Sequence, residues 1–290
     1  MAMNSVNTNM GAMVALQSLN RTNNEMATTQ KAISTGFRVA DATDDGAAYA
    51  VAQRVRSDVG ALTSVNQELN GTKGLVGTTL DGLDQVSKTL ISMKEDLVKL
   101  ASDSIQGAAR SDYIKSYNEK LQTVKDFLAD SDYNGKTLIG DFGGTTTQAV
   151  KDAAGFGDVA VIRNEKGNAY NIAAFETTTL VTSITFTSTQ LADTTAASGA
   201  LAKTGAFNAA IETVGTQMNT LGTASKYLDS QITFNNDKID SMKGGIGALI
   251  DADLSKEAAN LQALQIRQQL GTQALSMANQ APQSLLSLFR

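Results

Sequence analysis

The 290-residue sequence contains no cysteine, no histidine and no tryptophan, and its one proline is Pro282. Without cysteine, the chain forms neither a disulfide bond nor a thiolate metal site. Without histidine, it lacks the commonest general base near neutral pH and the commonest metal ligand. We therefore expect no catalytic site, no metal site and no bound cofactor, and we do not interpret the protein as an enzyme.

The sequence also lacks the signals of a nucleic-acid or membrane partner. Its net charge is −5 and no basic cluster stands out, which argues against nucleic-acid binding. No stretch approaches the roughly 18 uninterrupted apolar residues that span a membrane. The first residues have neither the basic region nor the apolar region of a secretory signal. If the protein leaves the cell, we expect another export route.

Both ends of the chain lack charged side chains. Residues 1–20 and 268–289 contain no Asp, Glu, Lys or Arg, yet both have the spacing of helices. Chain ends are usually polar and solvated. Two uncharged, moderately apolar ends predict segments that are covered by each other and by neighbouring subunits.

The terminal segments place apolar residues on more than one helix face. In 1–36 a register runs through Ala12, Leu16, Leu19, Asn23, Met26, Gln30 and Ile33. In 250–290 one stripe runs through Ile250, Leu254, Leu261, Leu264, Leu275 and Ala278, and a second through Ile266, Leu270 and Met277. A helix with two apolar faces predicts two packing partners, and we expect a lone terminal helix to be marginal until neighbours order it.

Two longer segments carry a heptad pattern typical of coiled-coil-like helices. Alternate steps of four and three residues from Val55 give a mostly apolar register over 51–101. The same stepping from Phe207 gives a second register, which we expect to end near Gly244-Gly245. Glycines within 71–77 weaken the first helix, so we expect a break or bend there.

A shorter helix is predicted between the two long ones. Residues 111–130 place Tyr113, Tyr117, Leu121, Val124 and Leu128 on one face. Ser111-Asp112 is the expected N-cap, and the turn dipeptide Asn134-Gly135 follows the helix. We expect this helix to pair antiparallel with the preceding one through a connection near Gly107.

The segment 137–204 changes character, because it is rich in threonine and glycine. Short runs with strand-like composition occur at 159–163, 169–172 and 180–187, and 164–167 reads as a hairpin turn. We interpret the segment as a small β-containing insert that projects from the helical body. Residues 187–204 are expected to be extended or loop.

Two acidic groups invite a metal-binding interpretation. Asp41 to Asp45 and the pair Asp251 and Asp253 are clustered carboxylates, but the first group lacks the Glu at the twelfth position of a calcium loop. Acidic residues at these places are explained by helix capping and by the helix dipole. We therefore predict capping at both groups.

The two ends of the chain resemble the terminal regions of bacterial flagellins. The resemblance covers about residues 1–140 and 206–290, in order, and its strongest runs are 4–59 and 250–290. The run from Asp41 to Val55 resembles that family's entry into its long helix. Asn134-Gly135 is similar to the turn before its hairpins.

The resemblance implies a mainly α-helical fold. It has long antiparallel coiled-coil-like helices, paired terminal helices and a small β-containing central insert. The implied domains are an inner core of 1–40 plus 250–290, a helical outer core of 41–142 plus 205–249, and a variable surface insert of 143–204.

The resemblance also implies a function. Flagellins are structural subunits that self-assemble into the extracellular flagellar filament for swimming, and the flagellar type III system exports them. The implied partners are further copies of the chain, an export chaperone, and the cap and hook-junction proteins. The residues that would form the assembly interface are Leu16, Leu19, Met26, Ile33, Leu261, Leu264, Leu275, Leu285 and Leu288.

Two alternatives stay open beside this interpretation. One is a related protein of the hook–filament junction, and the other is a secreted binding protein that acts through its insert. A separate expectation concerns the vertebrate Toll-like receptor that senses flagellins. Where many flagellins present an arginine to it, this chain has Lys94 or Val98, depending on the alignment, so we expect weak or no recognition.

Overall fold

The computed structural model describes residues 9–140, 155–202 and 204–287, with side chains to residue 280. The long helices are α1 Met10–Thr35, α2 Gly46–Leu100, α3 Gly107–Ala129, α7 Ala206–Ile250 and α8 Leu254–Ser287. Between α3 and α7 lie β1 Ile139–Gly140, β2 Val159–Ile162, β3 Ala169–Ile172, β4 Phe175–Glu176, α4 Thr178–Ile184, α5 Ser188–Ala192 and α6 Thr194–Leu201. The predicted fold class, mainly α with a small β-containing insert, is confirmed.

The chain forms two compact units, which are 1–59 with 240–290, and 60–239. In the first unit, α1 and α8 lie side by side, and a small core of Val39, Ala52 and Ile250 encloses the start of α2. Backbone bonds from the amides of Arg38 and Val39 to the Ile250 carbonyl join the segment after α1 to the end of α7. Within the described ranges, no helix is both long and apolar enough to cross a membrane.

The second unit has one continuous apolar core between α2, α3 and α7. Tyr117 of α3 lies at its centre, where its ring packs against Phe186 and Phe207 and its hydroxyl donates to the Ile184 carbonyl at 2.8 Å. Buried aromatic and aliphatic area of this kind is the main favourable term in folding.

The predicted antiparallel pairing of α2 and α3 is confirmed by the order of their contacts. Arg110, near the start of α3, donates to the carbonyl of Leu100 at the end of α2. Lys120, further along α3, contacts Asp96, which lies earlier in α2, at 2.7 Å.

Alternate steps of four and three residues place the predicted apolar residues of α2 in two columns, and the structure confirms one column and corrects the other. Leu62, Leu69, Val76, Leu83, Leu90 and Leu97 are fully enclosed, as the stepping predicts. The second buried column is Val65, Thr72, Thr79, Val86, Met93 and Leu100. Each lies one residue before a position that the stepping from Val55 predicts, namely Asn66, Lys73, Leu80, Ser87, Lys94 and Ala101. Buried Thr79 satisfies its hydroxyl by donating to the Leu75 carbonyl at 2.8 Å, so this column accommodates a polar residue.

One predicted helix break and two predicted helix boundaries are wrong. The helix α2 runs unbroken through 71–77, and Gly74 within this stretch and Gly82 after it lie against neighbouring side chains. A Cβ at Gly74 would lie 2.9 Å from the Tyr133 ring, and one at Gly82 would collide with the Ser131 side chain. The helix α3 begins at Gly107 rather than at 111, and α7 continues past Gly244-Gly245 to Ile250.

The hairpin of the insert is confirmed, but its third strand is wrong. Strands β2 and β3 pair antiparallel, and the Gly167 amide donates to the Asn164 carbonyl in the predicted turn. Residues 178–184 instead form α4, and 188–201 lie mostly in α5 and α6 rather than in extended structure. Leu180, Val181 and Ile184 share one helix face and are buried in the core with the long helices. Burial of this face favours the helix over the strand-like composition.

Candidate assembly surface

The helices α1 and α8 pair antiparallel along a narrow seam of small and apolar residues. A Cβ at Gly271 would lie 3.3 Å from Leu19 Cδ1, and one at Gly11 would lie 3.9 Å from the Ala278 Cβ. Small side chains let two helices approach closely, because the contact distance depends on side-chain size. The partly or fully covered positions are Ala12, Ala15, Leu19, Thr22, Asn23, Met26, Thr29, Lys31, Ala32 and Ile33 on α1 and Glu257, Leu261, Leu264, Gln268, Gly271, Leu275 and Ala278 on the part of α8 whose side chains are described.

Polar bonds hold the two terminal helices in register. Asn9 caps α1 by accepting from the Ala12 amide at 3.1 Å, and its Nδ2 donates to the Ala278 carbonyl at 2.7 Å. Nearer the middle of the pair, Gln268 Nε2 donates to Asn23 Oδ1 at 2.9 Å. One asparagine thus satisfies an orphan amide of α1 and a carbonyl of α8.

The face of α8 that is opposite the seam is apolar and open. Ile266, Leu270 and Met277 are 59%, 57% and 65% exposed. Met10, Met13 and Val14 are also exposed large apolar residues, at the start of α1. Aligned apolar side chains on a charge-poor surface indicate a surface that binds another protein. The second stripe that the sequence predicts on the C-terminal helix is therefore confirmed as a separate face.

An ion-pair group at the base of the pair connects α1 to the loop before α2. Lys31 Nζ lies 2.6 Å from Asp41 Oδ2 and 2.8 Å from Asp44 Oδ2. The Lys31 ammonium holds the pKa of both carboxyls below their ordinary value, and the carboxylates raise the pKa of Lys31. These side chains are partly solvated, so the group fixes geometry more than it adds stability.

The capping interpretation is confirmed at Asp45 and Asp253, whereas Asp41 and Asp44 bind Lys31. Asp45 Oδ1 accepts from the amides of Ala47 and Ala48 at the start of α2, both at 3.0 Å. Asp253 Oδ1 does the same for the amides of Ser255 and Lys256 at the start of α8. Each carboxylate also lies at the positive end of a helix dipole.

The structure divides the predicted interface residues into separate groups. Leu16 is exposed, because the enclosed column of α1 lies one residue earlier, at Ala15. Leu285 lies in α8 beyond the described side chains, and Leu288 lies outside the described residues. Those in the seam within the chain are Leu19, Met26, Ile33, Leu261, Leu264 and Leu275. The prediction omitted the open face at Ile266, Leu270 and Met277, although its stripe was visible in the sequence.

Comparison with known proteins identifies two regions of one family. Residues 6–142 match the bacterial flagellin N-terminal helical region, and residues 204–289 match the bacterial flagellin C-terminal helical region. The chain is 34% identical over 290 residues to flagellin FljK of Caulobacter vibrioides, with all of both chains covered. It is 35% identical over 307 residues to a flagellin of Brucella melitensis, with 99% of this chain and 100% of that one covered.

A solved structure shares the fold. A putative flagellar hook-associated protein from Vibrio parahaemolyticus superposes with a TM-score of 0.58 at 16% identity. The superposition covers 72% of this chain and 100% of that one.

Proposed function

Because the chain belongs to the bacterial flagellin family and is a structural subunit of the extracellular flagellar filament, we propose that its terminal helices form the assembly interface. The open face of α8 carries this proposal. Three large apolar side chains, Ile266, Leu270 and Met277, are more than half exposed there in the single chain. Their burial against further copies of the chain would remove apolar surface from water, which is the main driving force of association.

The seam and the open face have different roles in this proposal. Leu19, Leu264 and Leu275 hold α1 against α8 and so present the outer faces as one surface. Leu16 and the exposed residues at the start of α1 contact neighbouring subunits directly. The absence of charge from 268–289 fits such burial, because a desolvated unpaired charge costs several kcal/mol. Leu285 and Leu288 extend the same uncharged end.

We propose that three segments of the chain have different roles in the filament. Residues 1–40 with 250–290 form the inner core, 41–142 with 205–249 form the helical outer core, and 143–204 form a short variable surface insert. The chain acts mechanically and not as an enzyme. It leaves the cell unfolded through the flagellar type III system, accompanied by a chaperone, and it meets the cap and hook-junction proteins at the filament ends.

We also propose weak or no recognition by the vertebrate Toll-like receptor that senses flagellins. Lys94 donates to Asn208 Oδ1 at 3.0 Å, so this cation is engaged within the chain. Val98 is exposed and apolar, and so it has no guanidinium fork to offer an acidic partner. A receptor-reporter cell assay with purified monomer tests this, and a response equal to that of an arginine-bearing flagellin would contradict it.

Seeded polymerisation tests the assembly proposal. Purified full-length chain is compared with a chain that lacks 271–290, by light scattering and by negative-stain microscopy. Long filaments from the intact chain and none from the truncated one are expected. Circular dichroism controls for the fold, because unit 60–239 lies outside the deletion and should keep its thermal transition. Soluble monomers from both chains, even with seeds, would contradict the proposal and favour a junction protein.

A further inference from the structure

The helices α2 and α7 keep one axial register over a long stretch. Asn66 Nδ2 donates to Asn236 Oδ1 at 2.8 Å, and Lys73 Nζ contacts Asp229 Oδ1 at 2.5 Å. Further along, Lys94 Nζ donates to Asn208 Oδ1 at 3.0 Å. Steps of seven and twenty-one residues forward on α2 match steps of seven and twenty-one residues back on α7. The two helices therefore pair as an antiparallel coiled coil in heptad register.

Most of this seam does not distinguish its own register from a slipped one. On α2, the enclosed column repeats a leucine or valine every seven residues from Leu62 to Leu97. On α7, enclosed apolar residues also recur at heptad spacing, at Phe207, Val214, Leu221 and Leu228. A displacement by one heptad would place similar apolar side chains opposite one another. Apolar packing alone therefore leaves the register weakly specified.

A polar layer interrupts the apolar seam at one level. Asn235 is fully buried and Asn66 is 8% exposed. Asn235 Nδ2 donates to Asn66 Oδ1 at 2.9 Å and to the Arg163 carbonyl at 3.2 Å. Its Oδ1 accepts from Gln231 Nε2 at 3.0 Å. Both amide hydrogens and the carbonyl oxygen of Asn235 thus have partners, which a buried amide requires.

The same layer holds the β2–β3 hairpin. Gln231 Nε2 also donates to the Arg163 carbonyl at 3.2 Å, so two side chains of α7 bind one backbone oxygen of the hairpin. One turn further along α7, Lys238 contacts Glu165 of the hairpin turn at 2.6 Å. The position of the hairpin is therefore coupled to the level at which α2 and α7 meet.

We propose that Asn66 and Asn235 are the specificity-determining residues that fix the axial register of α2 against α7. In any slipped register, each of these amides would face an apolar side chain or an unrelated polar one. A buried amide without a partner is unfavourable, so the slipped arrangements are selected against. A buried asparagine in a coiled-coil seam specifies register at a cost in stability. Through the Arg163 carbonyl, the same residues set where the hairpin docks.

Cysteine cross-linking with dibromobimane, a short bifunctional thiol reagent, tests this proposal in the full-length chain. The chain has no cysteine, so an introduced pair is the sole pair. Ser87→Cys with Gly215→Cys reports the native register, because these positions lie twenty-one residues forward on α2 and twenty-one residues back on α7 from the contacting pair Asn66 and Asn236. Ser87→Cys with Gly222→Cys reports a slip of one heptad. Each pair is placed in the natural seam and in the Asn66→Leu/Asn235→Leu variant, below the concentration for assembly.

In the natural seam, the reagent should cross-link the native pair alone. In the Asn66→Leu/Asn235→Leu variant, we expect the slipped pair to cross-link as well, with a Tm equal to or above that of the natural chain. The matched control is Leu83→Ile/Leu90→Ile, which changes the seam but leaves the layer intact and should cross-link only the native pair. Exclusive native cross-linking in the asparagine-free variant would overturn the proposal. Loss of the folded state in the asparagine-free variant would also overturn the proposal, because the Asn66–Asn235 layer would then provide stability and not specificity.

Discussion

The open face of α8 gives a sharp test of how the chain assembles. Leu270 is 57% exposed in the single chain, and Leu270→Asp replaces it by a charge. Full burial of a leucine side chain contributes about 1.5–3 kcal/mol, so covering the exposed half contributes roughly 1–1.7 kcal/mol. An unpaired carboxylate in the same place adds a desolvation penalty of several kcal/mol. The substitution should therefore weaken each subunit addition by at least about 3 kcal/mol.

The weaker free energy of subunit addition can be measured as a higher critical concentration for polymerisation. Since about 1.4 kcal/mol corresponds to a tenfold change in an equilibrium constant, the critical concentration for Leu270→Asp should rise by about a hundredfold or more. The monomer should be unaffected, because substitutions at exposed positions usually change stability by less than about 0.5 kcal/mol. Sedimentation of seeded polymer at a series of protein concentrations gives the critical concentration. Circular dichroism gives the stability of the monomer.

The matched control is Leu270→Met, which keeps an apolar side chain of similar volume at the same position. It should assemble within about tenfold of the natural critical concentration, because such swaps cost less than about 1.5 kcal/mol. If Leu270→Asp polymerised like the natural chain, the outer face of α8 would not be buried in the filament and the reasoning would fail. If neither variant polymerised, the shape of the side chain and not the desolvation of a charge would control assembly at this position.

Three further predictions concern the second unit. Gly82→Ala should lower the free energy of unfolding by about 1–3 kcal/mol in urea titrations, because its Cβ would collide with the serine after α3. Gly77→Ala meets open space and should raise it by up to about 1 kcal/mol, and equal effects at both sites would contradict this. Leu90→Ala empties an enclosed position and should cost about 2–5 kcal/mol in the same titration, so a loss below about 1 kcal/mol would be inconsistent with the core described above. The hydrogen bond from Lys238 lowers the pKa of Glu165 from its ordinary value of 4.5. The ion pair therefore stabilises the folded chain fully above pH 4.5, and this stabilisation is lost as the pH falls through the lowered pKa. Lys238→Met should therefore move the acid-unfolding midpoint, followed by circular dichroism, to higher pH, and an unchanged midpoint would show that the ion pair is not formed.

Much of the helical framework could be predicted from sequence periodicity. The leucine column of α2 and the apolar face of α3 are enclosed as expected, because a repeat of three and four residues places side chains on one face of a helix. The turn at Asn134-Gly135 was equally readable, since both residues adopt positive φ in the structure, at 52° and 74°. These features depend only on residues that are close in the sequence, and so they can be predicted from a single sequence.

Part of the candidate surface could be predicted as well. The uncharged ends and the second stripe of α8 predicted a covered surface, and the family resemblance implied that this surface is an assembly interface. Leu16 lies outside the enclosed column of α1, because two heptad registers share Leu19 and differ only in the neighbouring column. Its place in the assembly interface stays a prediction. Which column faces the partner helix depends on where α8 lies, and composition does not contain that information.

The sequence alone was therefore enough to predict the long helices, one column of each seam, the caps at Asp45 and Asp253, and the uncharged termini. All of these follow from local spacing and side-chain chemistry. The helix at 180–184 depends on tertiary packing, because the apolar face of this strand-like segment is buried in the core. The contact between Asn66 and Asn235 also depends on it, since the two residues are 169 positions apart in the chain. Choices of this kind depend on contacts between distant segments, whose free energy only the assembled fold provides.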